Sequence, residues 1–327
     1  VVAPGTPGLA HRAGCLEKDK QAALDVMEQL IDGREDEPEA MYAYAHLAML
    51  VGELQVAEST VNQVLEVRPE WTDAHILRAN ILLREGKTEE VMSLMKQAVD
   101  NYPENKSLRL FYARKLVDEK HFKQGRDQFA ILLEQQPESM DSVYALGLLN
   151  LQLQDTAEAR KYFEMLIESD SRVAEAHYYL GQSYEIDKQD EAAIREYGEI
   201  RDGNLYIDAQ IRIAILLARQ GNIDAARERL QTVSAPTLDT ELRLYLAEGE
   251  ILIQAGQYLQ AYDVYTVALQ EMPDNIQLLY ARALTAEKLD RVGKAIDDFK
   301  RIIKLEPSNV EALNALGYTM VDKTPHV

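Results

Sequence analysis

Apolar residues recur at spacings of three and four through most of the chain, in segments broken by short polar turns. LLYARALTAEKL (278–289) and GKAIDDFKRIIKLEP (293–307) show the pattern clearly. Such spacing collects the apolar side chains on one stripe of a helix and predicts helices throughout. The helical segments come in pairs, and the pairs recur. GQYLQAYDVYTVALQEMPDN at 256–275 and GKTEEVMSLMKQAVDNYPEN at 86–105 lie 170 residues apart, five times 34. A fixed period of this size is the signature of a repeat array. At that period eight full units start at Pro38, Thr72, Lys106, Met140, Ala174, Ile207, Leu242 and Ile276.

Each column of the aligned units states a packing demand. The eighth place holds Ala45, Ala79, Ala113, Gly147, Gly181, Ala214, Gly249 and Ala283. A side chain of one carbon or none lets two helix axes approach closely, so this column marks the contact inside a hairpin. The twentieth place repeats the rule with Ala57, Gly125, Ala159, Ala193, Ala226, Ala261 and Ala295, broken by Val91. Large residues fill the gaps at the twenty-fourth place: Phe129, Phe163, Tyr197, Tyr265 and Phe299. Gly52, Gly86, Lys120, Gly221 and Gly256 occupy the turn between the two helices. Pro69, Pro103, Pro137, Pro273 and Pro307 end the second helix, because proline lacks an amide hydrogen and clashes with the preceding turn.

The period runs out at both ends. Residues 1–15 open with VVAPGTPG and are expected to be disordered, while 16–37 carry Ala23, Met27 and Leu30 in the phase of a second helix. Residues 38–309 are the eight units. VEALNALGYTMVDK, within 310–327, reads as the first helix of a truncated ninth unit that leaves Leu316 and Met320 partly bare. The expectation is a longer array, or ends that meet a partner or a second copy. Between about 171 and 241 the closing proline is missing or displaced to Pro236, and the spacing runs 33 then 35, so a local change of geometry is expected there.

This set of columns resembles the tetratricopeptide repeat. Leu279, Arg282, Ala283, Ala286, Ala295, Phe299, Ile302 and Pro307 stand at that family's signature places, and Tyr245, Gly249, Gly256, Tyr258, Ala261, Tyr265, Ala268 and Pro273 match it best. The resemblance implies an all-α fold: a right-handed α-solenoid of helical hairpins, eight full repeats plus a half repeat at each end, with first helices lining a concave groove. It also implies that the groove binds polypeptides. By phase, the fifth-place residues facing it are Tyr42, Ile76, Leu110, Tyr144, Tyr178, Ile211, Leu246 and Tyr280, with His46, Asn80, Arg114, Leu148 and Gln182 beside them at the ninth place. The stripe has two readings, packing between units or rigid amphipathic anchors for a partner. Two specialisations of the family are missing. Of the carboxylate clamp Asn80 alone fits, with Ile76, Phe111 and Tyr144 where cations or amides are needed, and no asparagine ladder runs along the sixth place.

Composition narrows the partners. Fifty-five acidic against 35 basic residues give a formal net charge of −20, which repels phosphate backbones and anionic lipid and points to protein partners, basic ones included. No apolar run reaches the length that spans a bilayer. Cys15 is the single cysteine, so an intrachain disulfide is excluded, and it leaves the compartment open between cytoplasm and bacterial periplasm. AGC at 13–15 is similar to the end of a lipoprotein signal, but Arg12 stands where leucine belongs and no apolar segment precedes it.

No enzymatic signature survives inspection. GKT at 86–88 lacks the upstream glycine of a phosphate loop, with Ile81 in its place, and reads as an interhelix turn. The histidines show no ligand spacing, so neither a metal nor a cofactor is expected. The sequence therefore predicts a non-catalytic scaffold or adaptor. The family resemblance suggests an envelope protein that recruits a processing protease; the alternative is a regulatory or targeting region of a larger enzyme or secretion machine.

Overall fold

The computed structural model describes residues 37–322, together with Ala22, Leu24, Asp25, Val26, Gln29 and Asp32. The expected disordered segment 1–15, and Ala23, Met27 and Leu30, lie outside the described residues. Leu24 is buried in the core of the hairpin that follows it.

Every regular element among the described residues is an α-helix. The hairpins are α1 (Pro38–Val51) with α2 (Leu54–Val67), α3 (Thr72–Arg84) with α4 (Thr88–Asn101), and α5 (Lys106–Asp118) with α6 (Phe122–Gln135). There follow α7 (Met140–Gln152), α8 (Thr156–Glu168), the pair α9 (Val173–Ile186) and α10 (Asp190–Gly198), and the pair α11 (Tyr206–Arg219) and α12 (Ile223–Thr232). The chain continues through α13 (Leu238–Gln254) with α14 (Tyr258–Glu271), α15 (Ile276–Lys288) with α16 (Val292–Leu305), and α17 (Val310–Asp322). They form two compact units, Val1–Asp155 and Thr156–Val327, divided in the turn between α7 and α8.

Helix ends follow from local chemistry. The second helices α2, α4, α6, α14 and α16 each stop two residues before Pro69, Pro103, Pro137, Pro273 and Pro307. First helices are capped where the residue before them can accept a bond. The Asn105 and Asn275 side chains accept from the Leu108 and Leu278 amides, and Thr237 with Thr240 forms a reciprocal capping box. That box starts α13 four residues ahead of Leu242. It follows the short helices α10 and α12, in the stretch where the period is irregular.

The hairpin interior obeys the small-residue columns. Ala45, Ala79, Ala113, Ala214 and Ala283 have no exposed surface. Where the twenty-fourth place carries a tyrosine within the same hairpin, the eighth place is glycine: a Cβ on Gly181 would stand 2.6 Å from Tyr197, and one on Gly249 would stand 2.2 Å from Tyr265. Alanine pairs instead with Val61, Met95, Phe129, Leu230 or Phe299. In both hairpins the tyrosine ring takes the room that a Cβ would need, and glycine also stands at the eighth place opposite Phe163, as Gly147.

Buried charge supplements this packing. Arg282 grips Asp298 with two hydrogen bonds of 2.8 and 2.7 Å. Arg227 and Gln231 of α12 donate to the buried Glu248 carboxylate at 3.0 and 2.7 Å. In each cluster every partner is needed, because a buried carboxylate stripped of its donors is strongly destabilising.

Candidate partner-binding face

In the hairpins α1–α2, α3–α4 and α5–α6 of the first unit and α9–α10, α11–α12, α13–α14 and α15–α16 of the second, the first helix packs on its second helix, and first helices also touch one another, α1 with α3 and α3 with α5 in the first unit, α11 with α13 and α13 with α15 in the second. In each unit these touching first helices form a layer. Its outward side is set by phase, since residues four apart on a helix share a face.

All eight fifth-place residues, Tyr42, Ile76, Leu110, Tyr144, Tyr178, Ile211, Leu246 and Tyr280, are half-buried. Their rings reach inward as well as out. Tyr178 packs 5.5 Å from the ring of Tyr197, Tyr280 stands edge-on to Phe299 at 5.8 Å, and Tyr42 lies 4.8 Å from Trp71. This column thus contributes to hairpin cohesion while leaving one edge of each side chain open. The ninth place is more open: His46, Arg114 and Glu250 are exposed, Leu284 is 39% exposed, and Asn80, Leu148, Gln182 and Ile215 are half-buried. Tyr318, at the ninth place of α17, is 65% exposed.

Ninth-place residues border two clefts, and fifth-place residues join them in one. In the first unit a cleft of about 580 Å³ lies between α5 and α7, lined by Phe111, Phe122, Phe129, Leu148 and Leu149, with Arg114 and Lys115 at its rim. In the second unit a cleft of about 390 Å³ between α13 and α15 is lined by Leu246, Ile253, Tyr280 and Leu284, with Glu250 and Glu311 at the rim. Arg114, Leu148, Leu246 and Tyr280 are thus brought to cleft walls, whereas Tyr42, His46, Ile76, Asn80 and Leu110 sit on the layer without lining either cleft. Phe111, Phe122 and Ile253 were not among the sequence candidates. The signal that could have found Phe111 and Ile253 is their position one turn from the ninth-place residues, at the sixth and twelfth places, whereas Phe122 comes from the second helix, at the seventeenth.

Electrostatics on this face differ along the second unit. The Tyr197 hydroxyl is pushed well above its ordinary pKa by burial and then by its 2.7 Å hydrogen bond to Glu185. Glu185 in turn lies 3.7 Å from Arg212 and 3.9 Å from Arg219. Burial disfavours the Arg212 cation, but Glu185, Tyr178 and Tyr197 more than offset it and hold its pKa above the ordinary value. His75 and His177 pack in the interhelix layer, bonded to the Pro69 carbonyl and to Glu196. Gly86 and Lys87 form the tight turn between α3 and α4. No group of His, Cys, Asp and Glu among the described residues stands close enough to hold a metal, and no described helix is long and apolar enough to cross a membrane.

Comparison with known proteins agrees with this architecture. Residues 82–149, 151–201 and 276–309 match family profiles described as tetratricopeptide repeat, and residues 3–86 match the second ARM domain of tetratricopeptide repeat protein 21. Over 149 residues the chain is 36% identical to the TPR repeat-containing protein PA4667 of Pseudomonas aeruginosa, covering 46% of this chain and 25% of that protein. It is 20% identical over 212 residues to the Protein CTR9 homolog of Arabidopsis thaliana, covering 60% of this chain and 19% of that one. The chain therefore spans a quarter or less of these relatives. Among solved structures it is similar to a tetratricopeptide repeat protein from Parabacteroides merdae, with 16% identity, TM-score 0.45 and coverage of 86% and 98% of the two chains. PilF of Pseudomonas aeruginosa is similar at 18% identity and TM-score 0.45, with coverage of 68% and 99%.

Proposed function

Because the chain is a tetratricopeptide repeat protein, we propose that it is a non-catalytic scaffold whose first-helix layer binds segments of other polypeptides. The observation that carries this reading is the pair of apolar clefts on that layer, each lined by ninth-place residues and rimmed by charge. An apolar cleft with a few polar groups at its edge suits a side-chain anchor whose neighbours stay hydrated. The resemblance to envelope arrays extends the reading to an adaptor that presents bound proteins to an enzyme such as a processing protease.

A random 16-residue peptide library displayed on phage, selected on the immobilised full chain, tests the reading. Selected peptides are expected to lose binding to the Leu148→Asp and Leu284→Asp variants. They are expected to keep it with Met165→Asp and Val267→Asp, which alter exposed apolar residues of the second helices α8 and α14. Loss confined to the second-helix variants would place recognition on the other layer and overturn the proposal.

A further inference from the structure

Charge on this protein is lopsided toward acid, yet an exposed cation stands at the aromatic cleft of the first unit. Arg114 is exposed, lines the cleft between α5 and α7, and has no ion pair among the described residues. Its neighbour Lys115 also lines the cleft but is already matched, 2.7 Å from Asp118, with its ammonium 5.9 Å from the Phe111 ring. Acidic residues outnumber basic ones by 55 to 35, so an unmatched guanidinium beside an apolar cleft is not what composition alone would place there.

The cleft itself is aromatic. Phe111, Phe122 and Phe129 contribute rings from both helices of the α5–α6 hairpin, and Leu148 and Leu149 close it from α7. At about 580 Å³ it has room for a large ring, and aromatic walls favour an aromatic guest through edge and offset contacts. A guanidinium beside such a guest is suited to receive a carboxylate through two parallel N–H···O bonds.

We propose that this cleft takes an aromatic side chain from an acidic peptide segment, and that Arg114 receives an Asp or Glu carboxylate within about one helical turn of that aromatic residue. The proposal rests on the first-helix layer being the binding face, and adds the chemistry of the segment that binds. The overall negative charge does not forbid it. Asp118 also lines the cleft, but its carboxylate is held by Lys115 at 2.7 Å, and charges more than about 8 Å away are largely screened at physiological salt, so the contact pair at Arg114 outweighs distant acids. Screening of this kind also means that the pair selects the segment more than it attracts it from afar.

The test repeats the peptide-library selection on the full chain and on the Arg114→Glu variant, with all peptides internal to a longer displayed sequence. Arg114 is exposed, so the variant should keep the helicity of the parent, checked by circular dichroism. Sequences selected by the parent are expected to be enriched in an aromatic residue with Asp or Glu within four positions. Those selected by Arg114→Glu should carry Lys or Arg there instead. Synthetic versions of parent-selected peptides, acetylated and amidated at their ends, should bind Arg114→Gln roughly fivefold more weakly than the parent. The same acidic preference in both selections, or a basic preference in the parent, would overturn the assignment to Arg114 while leaving the groove reading in place. Binders indifferent to Leu148→Asp as well as Leu284→Asp would overturn both.

Discussion

Gly249 lies directly against the ring of Tyr265. A Cβ at Gly249 would stand 2.2 Å from Cζ and 2.3 Å from the hydroxyl oxygen, and Tyr265 is only 2% exposed, so the ring has nowhere to go. Gly249→Ala is expected to destabilise the second unit by at least about 2 kcal/mol through overpacking. Tyr265→Leu alone should cost a comparable amount through the cavity it leaves. The double variant restores the alanine–leucine combination that Ala214 and Leu230 already make in the α11–α12 hairpin. Urea unfolding should therefore give a double variant more stable than the sum of the single losses by at least about 1 kcal/mol. Additive losses would mean that the two residues do not share one space.

The turns within the hairpins use one backbone device. At the fifteenth place of all eight units φ is positive, at Gly52, Gly86, Lys120, Gln154, Lys188, Gly221, Gly256 and Asp290. No atom lies within 4 Å of a Cβ built on Gly86, so Gly86→Ala should cost only the conformational penalty of the left-handed region, about 1 kcal/mol. Lys120→Gly should do the reverse, relieving that penalty at φ 63° and gaining roughly 0.5 kcal/mol after the added freedom of the unfolded chain is counted. Matched chemical denaturation curves of the two variants would show opposite signs. A stabilising Gly86→Ala would contradict this account of the turn.

Alkaline stability should report the buried tyrosines. Tyr197 and Tyr265 both have pKa values raised chiefly by burial, with Glu185 reinforcing the shift at Tyr197 and Glu250 at Tyr265. In the unfolded chain each ionises near pH 10, whereas in the fold each keeps its proton. The unfolded state then binds fewer protons, so their contribution is complete below about pH 10 and is lost as pH rises above it. Each tyrosine should add about 1.4 kcal/mol per pH unit to that loss. Tyr197→Phe should flatten the stability profile between pH 10 and 11 relative to the parent. An unchanged slope would mean that the hydroxyl is already ionised in the fold.

Much of the architecture was legible because repeat packing is local. A small eighth place must face a large twenty-fourth place in the same hairpin, so Gly249 and Tyr265, sixteen residues apart, reveal each other without knowledge of the rest of the chain. The buried charges were not read. Glu248 and Arg282 occupy a seventh place that holds buried Leu146, Leu180 and Ile213 in the three units before them. Charge in that column was the available signal. Its meaning depends on Arg227, Gln231 and Asp298, whose side chains reach it from neighbouring helices by geometry that periodicity does not encode. The division between Asp155 and Thr156 was equally invisible, for it falls in an ordinary hairpin turn with no change of composition. As for the candidate face, phase identified the stripe at the fifth place. It did not show that Tyr178 and Tyr280 spend part of their surface on Tyr197 and Phe299. Truncating these rings would therefore disturb packing and binding together, and the ninth place is the better site for a binding test.

The central claim is that polypeptides dock on the first-helix layer, and photo-crosslinking tests it most directly. A library-selected peptide carrying a benzophenone at its aromatic position would be irradiated with the full chain and the adducts located by mass spectrometry. The account predicts adducts on α5 and α7 or on α13 and α15, at residues such as Phe111, Leu148, Tyr280 and Leu284 that line the clefts. Adducts concentrated on the exposed sides of α8 or α14, at Met165 or Val267, would contradict it.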